Sequence, residues 1–252
     1  MADFESNRGY TLIELVLVLV IIGVLATVGL RSLSAVNRTS RIEQTRQDLD
    51  RLAHAIAGNP ELAAAGARTD FGYVGDVGGL PPDLDALAVN PGGWSTWQGP
   101  YIGDQFSSGG ASTNYKYDAW GGAFVYSGGV SITSTGGGVI LTRQLAGSVA
   151  DLLYNPVRLV VTDIDRTPPG TIYDDSLRFL LTVPNGSGEV AVRTVQPQPS
   201  GFAQFDSVPI GIHLLRLVYL PTADTLARQI VVTPGAVSYL EMSMAENLWT
   251  GS

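Results

Sequence analysis

Residues 9 to 30 constrain this chain more than any other stretch. They read Gly9-Tyr10-Thr11-Leu12-Ile13-Glu14 and then Leu15 to Leu30, with no charge and Thr27 as the one polar side chain. A helix over Leu15 to Leu30 is ~24 Å long, slightly short of the ~30 Å hydrocarbon core of a bilayer. Adding Tyr10 to Ile13 closes the gap and puts Glu14 inside the apolar stretch. A carboxylate there is costly, so an intramembrane Glu points to function by default. Two blander readings compete. A secretory signal peptide needs a positive n-region and small residues at its cleavage site. Met1 to Gly9 carries Asp3 and Glu5 against Arg8, and cleavage near Ser32-Leu33-Ser34 would leave Glu14 in the h-region. A plain membrane anchor leaves Glu14 unexplained. A transmembrane helix over about 12–30 is expected.

The helix continues past the apolar run into a different solvent. Ala35, Ile42, Leu49 and Ile56 recur every seven residues, with Thr45 and Leu52 between them, which makes one narrow apolar stripe. Arg38, Arg41, Glu43, Arg46, Asp48, Asp50 and Arg51 occupy the other faces and read as a solvated surface. Gly58-Asn59-Pro60 ends the helix with a C-cap glycine and a following proline. Beyond it, Glu61 to Arg68 is Ala-rich and is expected to form a short helix. Leu80 to Ala88 reads as a turn and a short helix. Tyr115 to Thr142 is expected to form three short antiparallel strands with Gly-rich turns.

From Val157 onward the pattern changes. Val157 to Thr162, Leu177 to Val183, Glu189 to Val195, Phe202 to Phe205, Gly211 to Leu220, Gln229 to Thr233 and Val237 to Met244 read as seven strands. Turns such as Pro184-Asn185-Gly186-Ser187-Gly188 separate them. That spacing suggests a β-sandwich. The expected class is α+β: a long N-terminal helix, a small antiparallel-sheet head, then an all-β sandwich. The boundaries are a leader at 1–9, the helix at 10–57, the head at 58–146 and the sandwich at 147–252.

Gly9 to Glu14, with the polar leader before and the apolar helix after, resembles the N-terminal signature of type IV pilins and type II secretion pseudopilins. The head is similar to that of the major type II secretion pseudopilin. The motifs are Leu80-Pro81-Pro82, Leu84-x-x-Leu87, Trp97-Gln98-Gly99-Pro100-Tyr101-Ile102 and Asp118-x-Trp120-Gly121. Ala119 stands where that family's turn has Pro. This likeness covers about residues 6 to 142. Residues 156 to 244 resemble the transthyretin-like sandwich appended to carboxypeptidases and many surface proteins.

The resemblance implies a structural role. Prepilin peptidase would cut after Gly9, Tyr10 would become the new N-terminus and be N-methylated, and Glu14 would neutralise the Tyr10 amine of a neighbouring subunit. Asp118, Trp120 and Gly121 would form the head turn. The implied partners are copies of the same chain, the peptidase, an inner-membrane secretion or pilus assembly platform, and membrane lipid. The implied location is a single-pass inner-membrane precursor that becomes a periplasmic or extracellular filament. A minor or tip subunit with an adhesive sandwich is the alternative. Arg31, Arg38 and Arg41 follow the apolar run, which by the positive-inside rule favours the opposite orientation. The family often binds calcium through acids in a loop after the strands. The equivalent stretch here, Ser134 to Gly138, has none, so no metal is carried over.

Little else in the chain suggests chemistry. Formal net charge is −8 over 252 residues, without a basic run, which argues against nucleic acid. The absence of Cys excludes disulfides, thiolate nucleophiles and Cys-based metal sites. His54 and His213 have no ligand spacing around them and read as helix and strand surface residues. Asp83-x-Asp85 and Asp163-x-Asp165 read as turn acids bonded to their own backbone. Trp94, Trp97 and Trp120 read as packing residues. No enzyme is expected.

Overall fold

Helix α1 spans Leu12–Ala57, 46 residues, so it is ~69 Å long and ends where Gly58 was expected to stop it. The computed structural model describes residues 11–103 and 114–249, with the side chains of 26–34 outside the description. The chain divides into two units, Met1–Gln44 and Thr45–Ser252.

In the second unit the apolar stripe does what its spacing implied. Leu49, Leu52 and Ile56 are buried, and Thr45 with them. Asp48 departs from the expectation. It is buried rather than solvated, and Arg51 Nη1 lies 3.1 Å from its Oδ1. A buried carboxylate is tolerable when it is paired. The helix stops at Gly58, where φ is 78°. Its N–H donates to His54 O at 2.7 Å. A Cβ there would lie 2.3 Å from Asp70 O, so both conformation and space require glycine.

The Ala-rich stretch after the helix is a hairpin and not the expected short helix. Strand β1 (Ala63–Ala64) pairs antiparallel with β2 (Ala67–Arg68). Ala65 and Gly66 both have positive φ, 51° and 80°, as a tight hairpin turn requires. The reason is tertiary. Arg68 reaches back to the end of α1, where Nη2 donates to Ala57 O, and Nε donates to Asp70 O at 2.7 Å. Helix α2 (Gly72–Val77) follows, buries Tyr73, Val74 and Val77, and ends on Gly78 at φ 77°. Two internal glycines hid it from the helical pattern.

The head strands are fewer than expected. Strand β3 (Ser131–Ser134) pairs with β4 (Leu141–Gln144). The third segment makes only isolated bridges, Tyr117 with Ala123 and Val125 with Thr133. Between Tyr117 and Ala123 the chain turns through Asp118 and Gly121, and Phe124 N donates to Lys116 O at 2.8 Å. The head core gathers Leu52 and Ile56 of α1 with Tyr73, Val77, Leu87, Phe124 and Ile132.

Helix α3 (Val149–Leu153) starts on Ser148, whose hydroxyl accepts from Asp151 N at 3.2 Å, an N-cap. Seven strands follow, as the turn spacing implied: β5 (Asn155–Thr162), β6 (Leu177–Pro184), β7 (Val190–Val195), β8 (Phe202–Val208), β9 (Gly211–Tyr219), β10 (Asp224–Val232) and β11 (Ser238–Ser243). They form sheets β10-β9-β6-β7 and β11-β5-β8. All neighbours are antiparallel except β11 with β5. Inward residues alternate along each central strand, for example Leu177, Phe179, Leu181 and Val183 of β6, which is the period of a half-buried strand. With Val157, Leu159, Leu215 and Leu217 they fill a second core drawn wholly from the sandwich.

Head and sandwich meet through the β6–β7 hairpin. Gly186 N donates to Val77 O at 2.8 Å, and Ser95 Oγ donates to Gly188 O at 3.0 Å. Trp94 lies so close over Gly188 that a Cβ there would come within 2.0 Å of it. Leu152 and Ile210 belong to the head core although they lie in the sandwich half of the sequence.

Candidate assembly helix and head turn

The first turn of α1 is shaped by Thr11. Its hydroxyl accepts from Glu14 N at 3.3 Å and its carbonyl from the same N–H at 3.1 Å. Glu14 is exposed, and so are the apolar side chains around it. Exposure runs from 48% at Val18 to 84% at Leu12, over every described large side chain from Leu12 to Leu25 apart from Glu14. A helix apolar on every side is found where something surrounds it, a membrane or other helices. Each such side chain, fully covered, contributes about 1.5–3 kcal/mol. Among the described residues no helix is long and apolar enough to cross a membrane. The expected span over about 12–30 runs into 26–34, whose side chains lie outside the description. Gly9 and Tyr10 lie outside the described residues.

The head turn is built on Asp118, a buried carboxylate. Its Oδ1 accepts from Trp120 N at 2.9 Å and Gly122 N at 2.8 Å. Its Oδ2 accepts from Ser134 Oγ at 2.5 Å. Backbone bonds close the turn, Asp118 N to Gly122 O at 2.8 Å and Gly121 N to Asp118 O at 2.9 Å. Gly121 takes φ 81°, which explains glycine at that position. Trp120 lies against Gly137. Ala119 N donates to Thr45 Oγ1 on α1 at 3.2 Å. The structure thus brings Asp118, Trp120 and Gly121 together and adds Thr45 and Ser134. Reading the sequence missed both. Thr45 sat in the apolar stripe as an unexplained hydroxyl, which was the available signal. Ser134 stood in the acid-free stretch Ser134 to Gly138, where nothing in the sequence marks its hydroxyl as a partner for Asp118.

The other candidates fall into structural places. His213 is buried, not a strand surface residue, with Nε2 2.8 Å from Pro209 O. The inward alternation of β9 puts it on the same side as Leu215 and Leu217. Burial is the main cause that lowers its pKa. His54 is half-buried beside a cleft of about 260 Å³ lined also by Arg51, Asp70 and Tyr101. Both Asp70 oxygens accept backbone N–H groups, of Asn59 and Gly72, so this acid is tied to the chain around the end of α1. Asp163 Oδ1 accepts from Asp165 N and Thr167 N. Asp83 Oδ1 accepts from Ala86 N, and Asp85 bonds Tyr115 and Lys116. Those two contacts hold the Asp85 carboxyl below its ordinary pKa. Trp97 Nε1 donates to Ala86 O.

Calcium is the ion that the family resemblance suggests for the loop Ser134 to Gly138. It takes about six to eight oxygens, usually with several carboxylates. Among the described residues no group of three or more acids or histidines is placed for a metal. Asp118 lies against the loop that would hold it, but its two oxygens already accept three donors. Among the described residues the donor set around this loop does not fit calcium.

The comparisons with known proteins bear on the helix first. Residues 6–30 match the prokaryotic N-terminal methylation motif, which contains Gly9, Tyr10 and Glu14. The chain is also 36% identical over 97 residues to the type II secretion system core protein G of Xanthomonas campestris pv. campestris. The match takes in 38% of this chain and 57% of that relative's length. The chain therefore carries a type IV pilin-like N-terminus and is similar to a type II secretion pseudopilin. Among solved structures, the Bacillus anthracis TIE protein is 14% identical, at a TM-score of 0.31, over 49% of this chain and 24% of its own. BcpA, the major pilin subunit of Bacillus cereus, is 9% identical, at 0.25, over 46% and 37%. At those scores neither likeness carries an argument.

Proposed function

We propose that the chain is a structural subunit of a type II secretion pseudopilus or a type IV pilus-like filament. The observation that carries this reading is the exposed apolar half of α1 with Glu14 inside it, within a matched N-terminal methylation motif. The precursor is held in the inner membrane by residues of about 12–30. Prepilin peptidase cuts after Gly9, and Tyr10 is N-methylated, which keeps its charge. Copies then polymerise through their helices on an inner-membrane assembly platform. The similarity to a secretion core protein favours the secretion filament.

Glu14 supplies the register. Tyr10 stands four positions before Glu14, so a helix continued back to Tyr10 would put the two on one face. A buried amine is tolerable only with a countercharge, and the Glu14 carboxylate of one subunit neutralises the Tyr10 amine of the next. Glu14→Val is expected to leave membrane insertion and cleavage intact and to abolish filaments. Filaments sheared from cells with equal membrane levels of each variant provide the measurement. A wild-type yield from Glu14→Val overturns the role of the residue. Immunogold on isolated filaments decides between a major subunit, labelled along the length, and the tip-adhesin alternative, labelled only at ends.

A further inference from the structure

The misfit with calcium has a positive side, and it stands apart from the filament role. We infer that the head's glycine loop is latched to α1 by Asp118, Ser134 and Thr45, and that this latch stands in place of a calcium ion, so the loop holds its fold without a divalent cation.

The donors carry the argument. Ser134 is fully buried, and its hydroxyl donates to Asp118 Oδ2 at 2.5 Å. The same hydroxyl oxygen accepts from Gly136 N at 3.3 Å. One side chain thus ties the end of β3 and the loop after it to the buried acid. That acid holds Trp120 N and Gly122 N with its other oxygen. The turn it organises is fastened to the helix by Ala119 N on Thr45 Oγ1. A calcium ion at this loop would have to displace these donors. It would find hydroxyl and backbone oxygens in Ser134 to Gly138 where carboxylates are needed. Space is also taken. A Cβ on Gly136 would come within 2.2 Å of Asp118 Oδ2, and one on Gly137 within 2.3 Å of the Trp120 ring. The loop backbone is packed onto the acid and the indole, where a cation's ligand shell would have to stand. Gly136 and Gly137 then have a reason: they let the backbone come this close.

The test is thermal unfolding of the full chain in detergent micelles, followed by near-ultraviolet circular dichroism. Samples are first stripped with chelator and then measured with or without excess calcium. A bound ion present at about 100 times its dissociation constant raises the midpoint by several degrees. The expected result is no calcium-dependent shift in the wild type. Ser134→Ala is expected to lower the midpoint by several degrees with or without calcium, because Asp118 Oδ2 is left buried and unbonded. A rise of the wild-type midpoint on adding calcium overturns the inference. Loss of that rise in Asp118→Asn would assign the ion to this acid. An unchanged midpoint in Ser134→Ala overturns the latch itself.

Discussion

The end of α1 depends on one distant side chain, and removing it has a calculable effect. Arg68 donates to Ala57 O and Asp70 O and stacks over the Phe71 ring at 4.8 Å. Ala57 is the last helical residue, so its carbonyl has no partner within the helix. A cation there also faces the negative end of the helix dipole. Hydrogen bonds from a charged donor contribute about 1.5–3 kcal/mol each. The stacking adds about 0.5–1 kcal/mol. The guanidinium is half-buried, and desolvation lowers its pKa despite the opposing pull of Asp70. Part of the gain is therefore offset by lost hydration. A net loss of about 2–3 kcal/mol is expected for Arg68→Ala, or a fall of about 5–10 °C in midpoint for a unit of this size. Arg68→Lys keeps the charge and loses the two-pronged geometry, so about half that fall is expected. Thermal unfolding gives the total, and hydrogen exchange of the Gly58 amide, which donates to His54 O, reports the helix end itself. A midpoint within 2 °C of wild type in Arg68→Ala, with the Gly58 amide equally protected, would refute this reasoning.

Three further outcomes are expected. Gly9→Val leaves a full-length precursor in the membrane, because cleavage needs a residue without a side chain; a mature chain beginning at Tyr10, found by mass spectrometry, would contradict it. Burial holds the His213 pKa below its ordinary 6.5. The unfolded chain therefore takes up a proton that the folded chain refuses, and stability is lost as pH falls through that value. Denaturant midpoints at about pH 5 and pH 7.5 should differ less in His213→Gln than in wild type. Residues 150–252 expressed alone are expected to melt cooperatively, since the second core lies wholly within 157–249. Exposure of Ile210 and the β6–β7 hairpin should lower the midpoint, and a molten product would show that the two cores are one folding unit.

The features legible in the sequence share a physical cause. The helix from Ala35 to Ile56 and central strands such as β6 and β9 are written in a repeat, heptad or alternating, that one element imposes on itself. Gly58 announced the helix end because a left-handed residue there has few alternatives. The β1–β2 hairpin was not legible. Glu61-Leu62-Ala63-Ala64-Ala65 favours helix locally, and the competing term is the bond from Arg68 to a carbonyl 11 positions upstream.

Asp48 and His213 mark the same boundary from the other direction. A charge or an imidazole is read as surface unless its partner is known. Their partners, Arg51 one turn on and the Pro209 carbonyl before the strand, are near in sequence but become partners only once a core closes over both. Asp118 follows the same logic at the candidate site. The likeness of Asp118-x-Trp120-Gly121 to a known turn located the residue, and the bonds to its own backbone are what a turn acid makes. Its function as a latch depends on Ser134 and on Thr45 of the helix, 74 positions from Ala119. Long-range pairs of single hydroxyls leave no periodic trace, so a site built from them becomes visible only when the elements that carry them are packed.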